Sequence, residues 1–158
     1  MHTNLGEIQI KLYPKSAPKT VQNFIGLTRA GRYDNTTFHR VVKDFVIQGG
    51  DYENGDGTGG GSLWGREFED EIDPQLSHVR GMVSMANHGP NTNGSQFFIV
   101  VKDTPRLDGA YSIFGQVVKG MGVVDQINQL PTDLFDKPLD SITIKSAVIN
   151  LPGDQSDR

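Results

Sequence analysis

Cysteine is absent from the chain, which excludes disulfides, thiolate nucleophiles and thiolate metal sites. Charge of one sign is scarce as well. Fifteen Lys and Arg stand against 19 Asp and Glu, a formal charge of −4, so no overall positive field draws the chain to phosphates or anionic lipid. Nucleic acid is not an expected partner. No apolar run is long enough to span a bilayer, so no membrane partner is expected. Met1-His2-Thr3-Asn4-Leu5-Gly6 lacks the charged and apolar stretches of an export signal, and the expectation is cytoplasmic residence. Asn35-Thr36-Thr37 and Asn93-Gly94-Ser95 match the glycosylation acceptor pattern but read as turn chemistry in a chain expected to stay in the cytoplasm.

Several chemistries lack their parts. There is no G-x-S-x-G nucleophile elbow, so Ser/His/Asp hydrolysis has no anchor. His2, His39, His78 and His88 show neither the close spacing nor the companion ligands of a zinc site, and no metal or other cofactor is expected. Gly55 to Gly60 spells G-x-G-x-x-G, but Ser62-Leu63-Trp64-Gly65 follows where a phosphate-binding helix should start. Asp51 to Gly55 looks like a calcium loop, yet Ser62 stands where the bidentate Glu belongs. Glu67, Glu69, Asp70 and Glu71 read as a solvated acidic loop.

What remains is a folded, loop-rich chain. Its 158 residues include 35% hydrophobic, 22% charged and 19 Gly, enough for one domain with a real core. The expected organisation is one domain over residues 1–153 and a polar tail over 154–158. Glu7 to Leu12 alternates polar and apolar as a half-buried strand does. Val21, Phe24, Ile25 and Thr28 fall at helical spacing between Pro18 and Gly31, with Pro near the first turn and Gly at the cap. A second, shorter helix is expected around Val123, Val124 and Ile127, ending before Pro131. Further strands are expected at Phe45 to Gln48, Met82 to Ala86, Phe97 to Val101, Ile113 to Val118 and Ile142 to Ile149. Many short strands with two helices suggest a barrel or sandwich capped by helices.

Two segments combine aromatic, amide and guanidinium groups as a core would not. They are Phe38-His39-Arg40-Val41-Val42-Lys43-Asp44-Phe45-Val46-Ile47-Gln48-Gly49-Gly50-Asp51 and Ser84-Met85-Ala86-Asn87-His88-Gly89-Pro90-Asn91-Thr92-Asn93-Gly94-Ser95-Gln96-Phe97-Phe98. With Leu107-Asp108-Gly109, Phe114-Gly115, Pro18 to Phe24 and Phe68 to Glu71, they resemble the signature segments of the cyclophilin family of peptidyl-prolyl cis/trans isomerases. The resemblance runs from Thr3 to about Leu151. It implies a mainly β fold, a closed eight-stranded antiparallel β-barrel capped by two α-helices, with the site in a groove on the barrel's outer face. It also implies catalysis of X-Pro rotation in proline-containing peptides and proteins, in aid of protein folding, by a monomer without cofactor.

Carried over residue by residue, Arg40 resembles the catalytic arginine. Phe45, Phe98 and Leu107 resemble the walls of the proline pocket, with Val46 at a position often held by Met. Gln48, Ala86, Asn87 and Gln96 resemble the groove that aligns the substrate backbone. Two positions depart from the family's commonest form: Arg106 replaces Trp, and Tyr111 replaces His while still able to line the pocket. The resemblance therefore implies binding of the cyclic peptide cyclosporin with reduced affinity. His88, where a small residue is common, is expected with Arg66 and Glu67 to narrow an adjoining side pocket. Phe97 and His39 should face away from the groove, because neighbours in a strand alternate sides. The competing reading is a non-catalytic proline-peptide binding module within a larger complex; Arg40 speaks against it, since binding alone needs no donor to the prolyl nitrogen.

Overall fold

A computed structural model describes residues 1–151; the expected tail over 154–158 lies outside the described residues. In chain order the elements are β1 (His2–Thr3), β2 (Gly6–Glu7), β3 (Gln9–Leu12), α1 (Pro18–Arg29), β4 (Thr36–Thr37), β5 (Arg40–Val42), β6 (Val46–Gly49), β7 (Met82–Met85), β8 (Phe97–Val100), β9 (Ile113–Lys119), α2 (Met121–Asn128) and β10 (Thr143–Ser146). A single 3-10 turn, Pro105–Leu107, precedes β9.

The fold is mainly β with two helices, but the expected closed eight-stranded barrel is corrected. The strands form a four-stranded sheet ordered β2-β1-β10-β4 and a six-stranded sheet ordered β3-β9-β7-β8-β6-β5, and neither closes on itself. The physical reason lies at the edges. The run expected as one strand over 7–12 breaks at Ile8, where the chain passes from one sheet to the other. The outer edge of β5 is met by a loop, whose Asp136 carbonyl accepts the Val41 N–H at 2.7 Å. A ladder thus ends where a carbonyl from an irregular segment satisfies its donors. The expected last strand also stops early, at Ser146 rather than Ile149.

Both sheets line one core, in which Ile8, Phe38, Ile47, Met85, Phe97, Phe114 and Ile144 are all but fully buried. α1 packs Val21, Phe24 and Leu27 into it. Ile25, expected on that face, is only partly buried, and Leu27 takes the inner place. Pro at the first turn needs no N–H partner, and Gly31 at φ +72 ends the helix in the left-handed region. The acidic run is not simply solvated: the Glu71 carboxylate accepts the backbone N–H groups of Lys19 (3.2 Å) and Thr20 (2.6 Å). It caps the start of α1, where free N–H groups and the helix dipole favour a negative charge.

Candidate active site

The six-stranded sheet has two apolar faces. Phe97, Ile99, Ile47, Val83 and Met85 face the main core. Their strand neighbours Phe98, Val100, Val46 and Met82 join Ile113 in a second, smaller cluster, with Phe45, Ala86, Leu107 and Tyr111 packed partly buried against it. Strand alternation alone produces this division.

Register then aligns the site. Arg40 on β5 pairs with Gln48 on β6, Gln48 with Phe98 on β8, and Phe98 with Ser84 on β7. Residues directly opposite one another share a face with Cβ atoms roughly 5 Å apart. A guanidinium, an amide and an aromatic ring therefore stand in one row across three strands. Over this row opens a groove of about 280 Å³ lined by Arg40, Phe45, Val46, Gln48, Ala86, Asn87, Phe98, Leu107 and Tyr111.

The polar side of the groove is a relay. The Gly57 and Gly59 carbonyls each accept from Gln96 Nε2 at 2.8 Å. Gln96 Oε1 accepts from Gln48 Nε2 at 3.0 Å, and Gln48 Oε1 accepts from Arg40 Nη1 at 3.2 Å. Each amide is used on both ends, which fixes its orientation. The guanidinium is thus aimed by a fixed acceptor while its remaining N–H donors stay available.

The relay rests on the loop after β6. Asp51 is 2% exposed, and its carboxylate accepts the backbone N–H groups of Glu53, Asn54, Asp56, Gly57 and Gly59. Burial pushes this carboxyl upward in pKa, but those hydrogen bonds outweigh it and hold the value at about 2. Gly57 at φ +96 and Gly60 at φ +100 take conformations that side chains rarely adopt, so the loop can wrap one carboxylate. The G-x-G-x-x-G run is a turning loop with no helix after it. The calcium-like Asp51 instead collects backbone donors, a role no spacing rule announces.

The apolar side is built on rings. Tyr111 meets Phe98 edge to face at 5.7 Å, and the Arg106 guanidinium lies 4.8 Å from the centre of the Phe45 ring. Arg106 is therefore ordered by a cation–π contact rather than free at the rim. Asn87 spends its side chain on the segment that leads into β9, donating to the Ala110 carbonyl at 3.0 Å, which leaves its main chain for a ligand. His39 is buried, and burial lowers the pKa of its imidazole, against the pull of Asp51 and Asp56.

Gln96 and His88 lie next door. A second cavity of about 390 Å³ shares Gln48, Ala86 and Asn87 with the first and adds Arg66, Glu67, His88, Gln96 and the Gly57 to Gly61 backbone. His88 Nε2 lies 2.8 Å from Glu67 Oε1, so these two side chains meet within its lining.

The chain as a whole has parallels among known proteins. The family model described as "Cyclophilin type peptidyl-prolyl cis-trans isomerase/CLD" matches residues 1–149. Peptidyl-prolyl cis-trans isomerase 9 of Schizosaccharomyces pombe is 57% identical over 145 residues, which are 91% of this chain but 24% of that protein. The chain thus spans about a quarter of that relative. Peptidyl-prolyl cis-trans isomerase-like 1 of Neurospora crassa is 52% identical, covering 93% of this chain and 90% of the other. A crystal structure of a cyclophilin type isomerase from Cryptosporidium parvum, obtained in the presence of the dipeptide Ala-Pro, superposes with a TM-score of 0.92 at 44% identity, over 96% of this chain and 98% of that one. The match over nearly the whole sequence, on a closely superposing fold, makes this chain a member of the cyclophilin-type peptidyl-prolyl cis-trans isomerase family.

Proposed function

We propose that the chain accelerates rotation about X-Pro peptide bonds in other polypeptides, with Arg40 as the catalytic group. The observation that carries this reading is the row of Arg40, Gln48 and Phe98 on one face of the sheet, at a groove open to a peptide.

Resonance sets a barrier of roughly 20 kcal/mol to this rotation, so the uncatalysed step takes tens of seconds or longer. Resonance is lost during the twist, and the prolyl nitrogen gains a lone pair that neither planar state has. A donor aimed at that nitrogen binds the twisted state best, which is what catalysis requires. Arg40 is permanently charged, and the Gln48 contact fixes where it points. Phe45, Val46, Phe98 and Leu107 hold the proline ring by apolar burial, while the Asn87 main chain aligns the peptide. One end is clamped and the other turns. Going from about 0.01 to about 1,000 per second takes about 7 kcal/mol off the barrier, within reach of a charge-assisted hydrogen bond plus immobilisation. The step needs neither nucleophile nor general base.

On this reading the clients are proline-containing peptides and proteins, the chain works as a monomer in the cytoplasm in aid of protein folding, and cyclosporin occupies the same groove with reduced affinity. The test is a protease-coupled assay on a cis-X-Pro peptide with the wild type and Arg40→Ala. The variant should lose tens- to several-hundredfold in kcat/KM, about 2 to 4 kcal/mol, with little loss of stability. Full activity in Arg40→Ala would sink the mechanism.

A further inference from the structure

We infer that His78 is a positioning residue for the proline slot, a buried imidazole that fastens both ends of the turn presenting Leu107 and backs the ring of Phe98. The inference rests on the reading of the groove as a proline site and goes beyond it.

His78 is fully buried, yet it lines neither cavity. Its contacts all lead to the slot. Its carbonyl accepts the Thr104 N–H at 2.8 Å, at the start of the 3-10 turn Pro105–Leu107. Its own N–H and its ring Nδ1–H both donate to Asp108 Oδ1, at 2.8 and 2.7 Å, at the end of that turn. A single residue thus ties down Thr104 and Asp108, and Leu107 is carried between them. Ser77 donates its hydroxyl to the other Asp108 oxygen. Asp108 only accepts, so Nδ1 carries a proton, while Nε2 meets at 2.9 Å the Ser84 hydroxyl, which pairs with either state of that nitrogen. Burial lowers the imidazole pKa against the Asp108 contact, which favours the neutral ring with Nε2 accepting.

The ring also packs on the slot. It stacks on Phe98 with centroids 5.9 Å apart and planes 16° from parallel, and meets Tyr111 edge-on at 6.3 Å. Three walls of the slot, Leu107, Phe98 and Tyr111, thus take their positions from one imidazole. A slot that must hold a ring still during rotation gains from walls that are themselves held.

The test separates tethering from bulk stability. Asp108 is partly exposed and outside the groove lining, so its variants are read at low temperature, with urea titration showing each to be folded. Asp108→Ala should raise the Kd of a short Ala-Pro peptide and lower kcat/KM by about tenfold each, the worth of one or two tethering hydrogen bonds. Asp108→Asn keeps Oδ1 as acceptor and should stay within about twofold of the wild type, while His78→Phe, which keeps the stack and both main-chain tethers but loses the bond from the ring to Asp108, should show part of the Asp108→Ala loss, about threefold to fivefold. Should Asp108→Ala not fold, Ser77→Ala must show the same loss in smaller measure, about twofold to threefold. A role in stability alone would lower Tm and leave Kd and kcat/KM of the folded variants unchanged, and that outcome overturns the inference. So does an Asn variant as impaired as the Ala variant. A wild type that binds the peptide but does not turn it over would sink the isomerase reading alone, since the Kd series still tests His78.

Discussion

Gln96 holds two glycine carbonyls with its amide nitrogen and Gln48 with its oxygen, so the aim of Arg40 begins at a residue that does not line its groove. Gln96→Leu would leave the Gln48 amide half-paired and free to turn, and Arg40 would lose its fixed acceptor. We expect kcat/KM to fall about fivefold to twentyfold, roughly 1 to 2 kcal/mol, less than for Arg40→Ala; an unchanged rate would break the relay. Arg106 poses a different question at the same scale. It covers Phe45 with a cation that must shed water to be buried by a ligand, where a Trp would offer a flat indole with one N–H. Arg106→Trp should therefore tighten cyclosporin by tenfold to a hundredfold in calorimetric titration, about 1 to 3 kcal/mol, with little change in short-peptide turnover. Equal affinities would make Arg106 a bystander at the rim.

Among the elements, the loop of residues 51–61 is organised by the single carboxylate of Asp51. Its pKa of about 2 lies below the ordinary value near 4, so its stabilising effect is complete above about pH 4 and fades as the pH falls toward 2. The difference amounts to about 2 kcal/mol. Urea midpoints measured across this window should drop for the wild type, while Asp51→Asn should be less stable at neutral pH and flatter on acidification. Parallel curves for the two proteins would show that Asp51 is not the group responsible. The same variant should slow catalysis a fewfold, because the Gly57 and Gly59 carbonyls that seat Gln96 belong to this loop. The glycines mark a turning loop in the sequence, but five N–H groups converging on one oxygen pair is a property of the path the loop takes. Glu71 makes the same point: within its acidic run it reads as a solvated charge, and only the packing of that segment on α1 makes it a cap.

At the scale of the whole molecule, one sheet serves a core on one face and a groove on the other, and β8 presents a phenylalanine to each. Phe97 is fully buried among Phe24, Tyr33 and Phe38; Phe98 belongs to the slot. Phe97→Ala should cost about 3 to 5 kcal/mol of stability while the folded fraction keeps most of its peptide affinity. Phe98→Ala should lose affinity and rate out of proportion to its loss of stability. Melts and peptide titrations on both variants decide this, and matching profiles would mean that the two faces are not separate.

The helices at Pro18 and near Val123, the strands near Val46, Met82, Phe97 and Ile113 and the opposite facing of Phe97 and Phe98 are legible in the sequence because each depends on neighbours a few residues away: a period, a proline, a capping glycine. The groove residues are legible for another reason, since the order and spacing of Arg40, Phe45, Gln48, Asn87, Gln96, Phe98 and Leu107 resemble a known family. Tertiary structure decided the rest. That the ladders form two open sheets instead of a closed barrel depends on where Ile8 leaves one sheet and which carbonyl meets Val41. That Asp51 aims Gln96, and that His78 braces Leu107 and Phe98, depends on contacts between segments far apart in the chain. Such contacts are set by hydrogen-bond register and by the need of every buried donor to find an acceptor, conditions that only the assembled fold imposes.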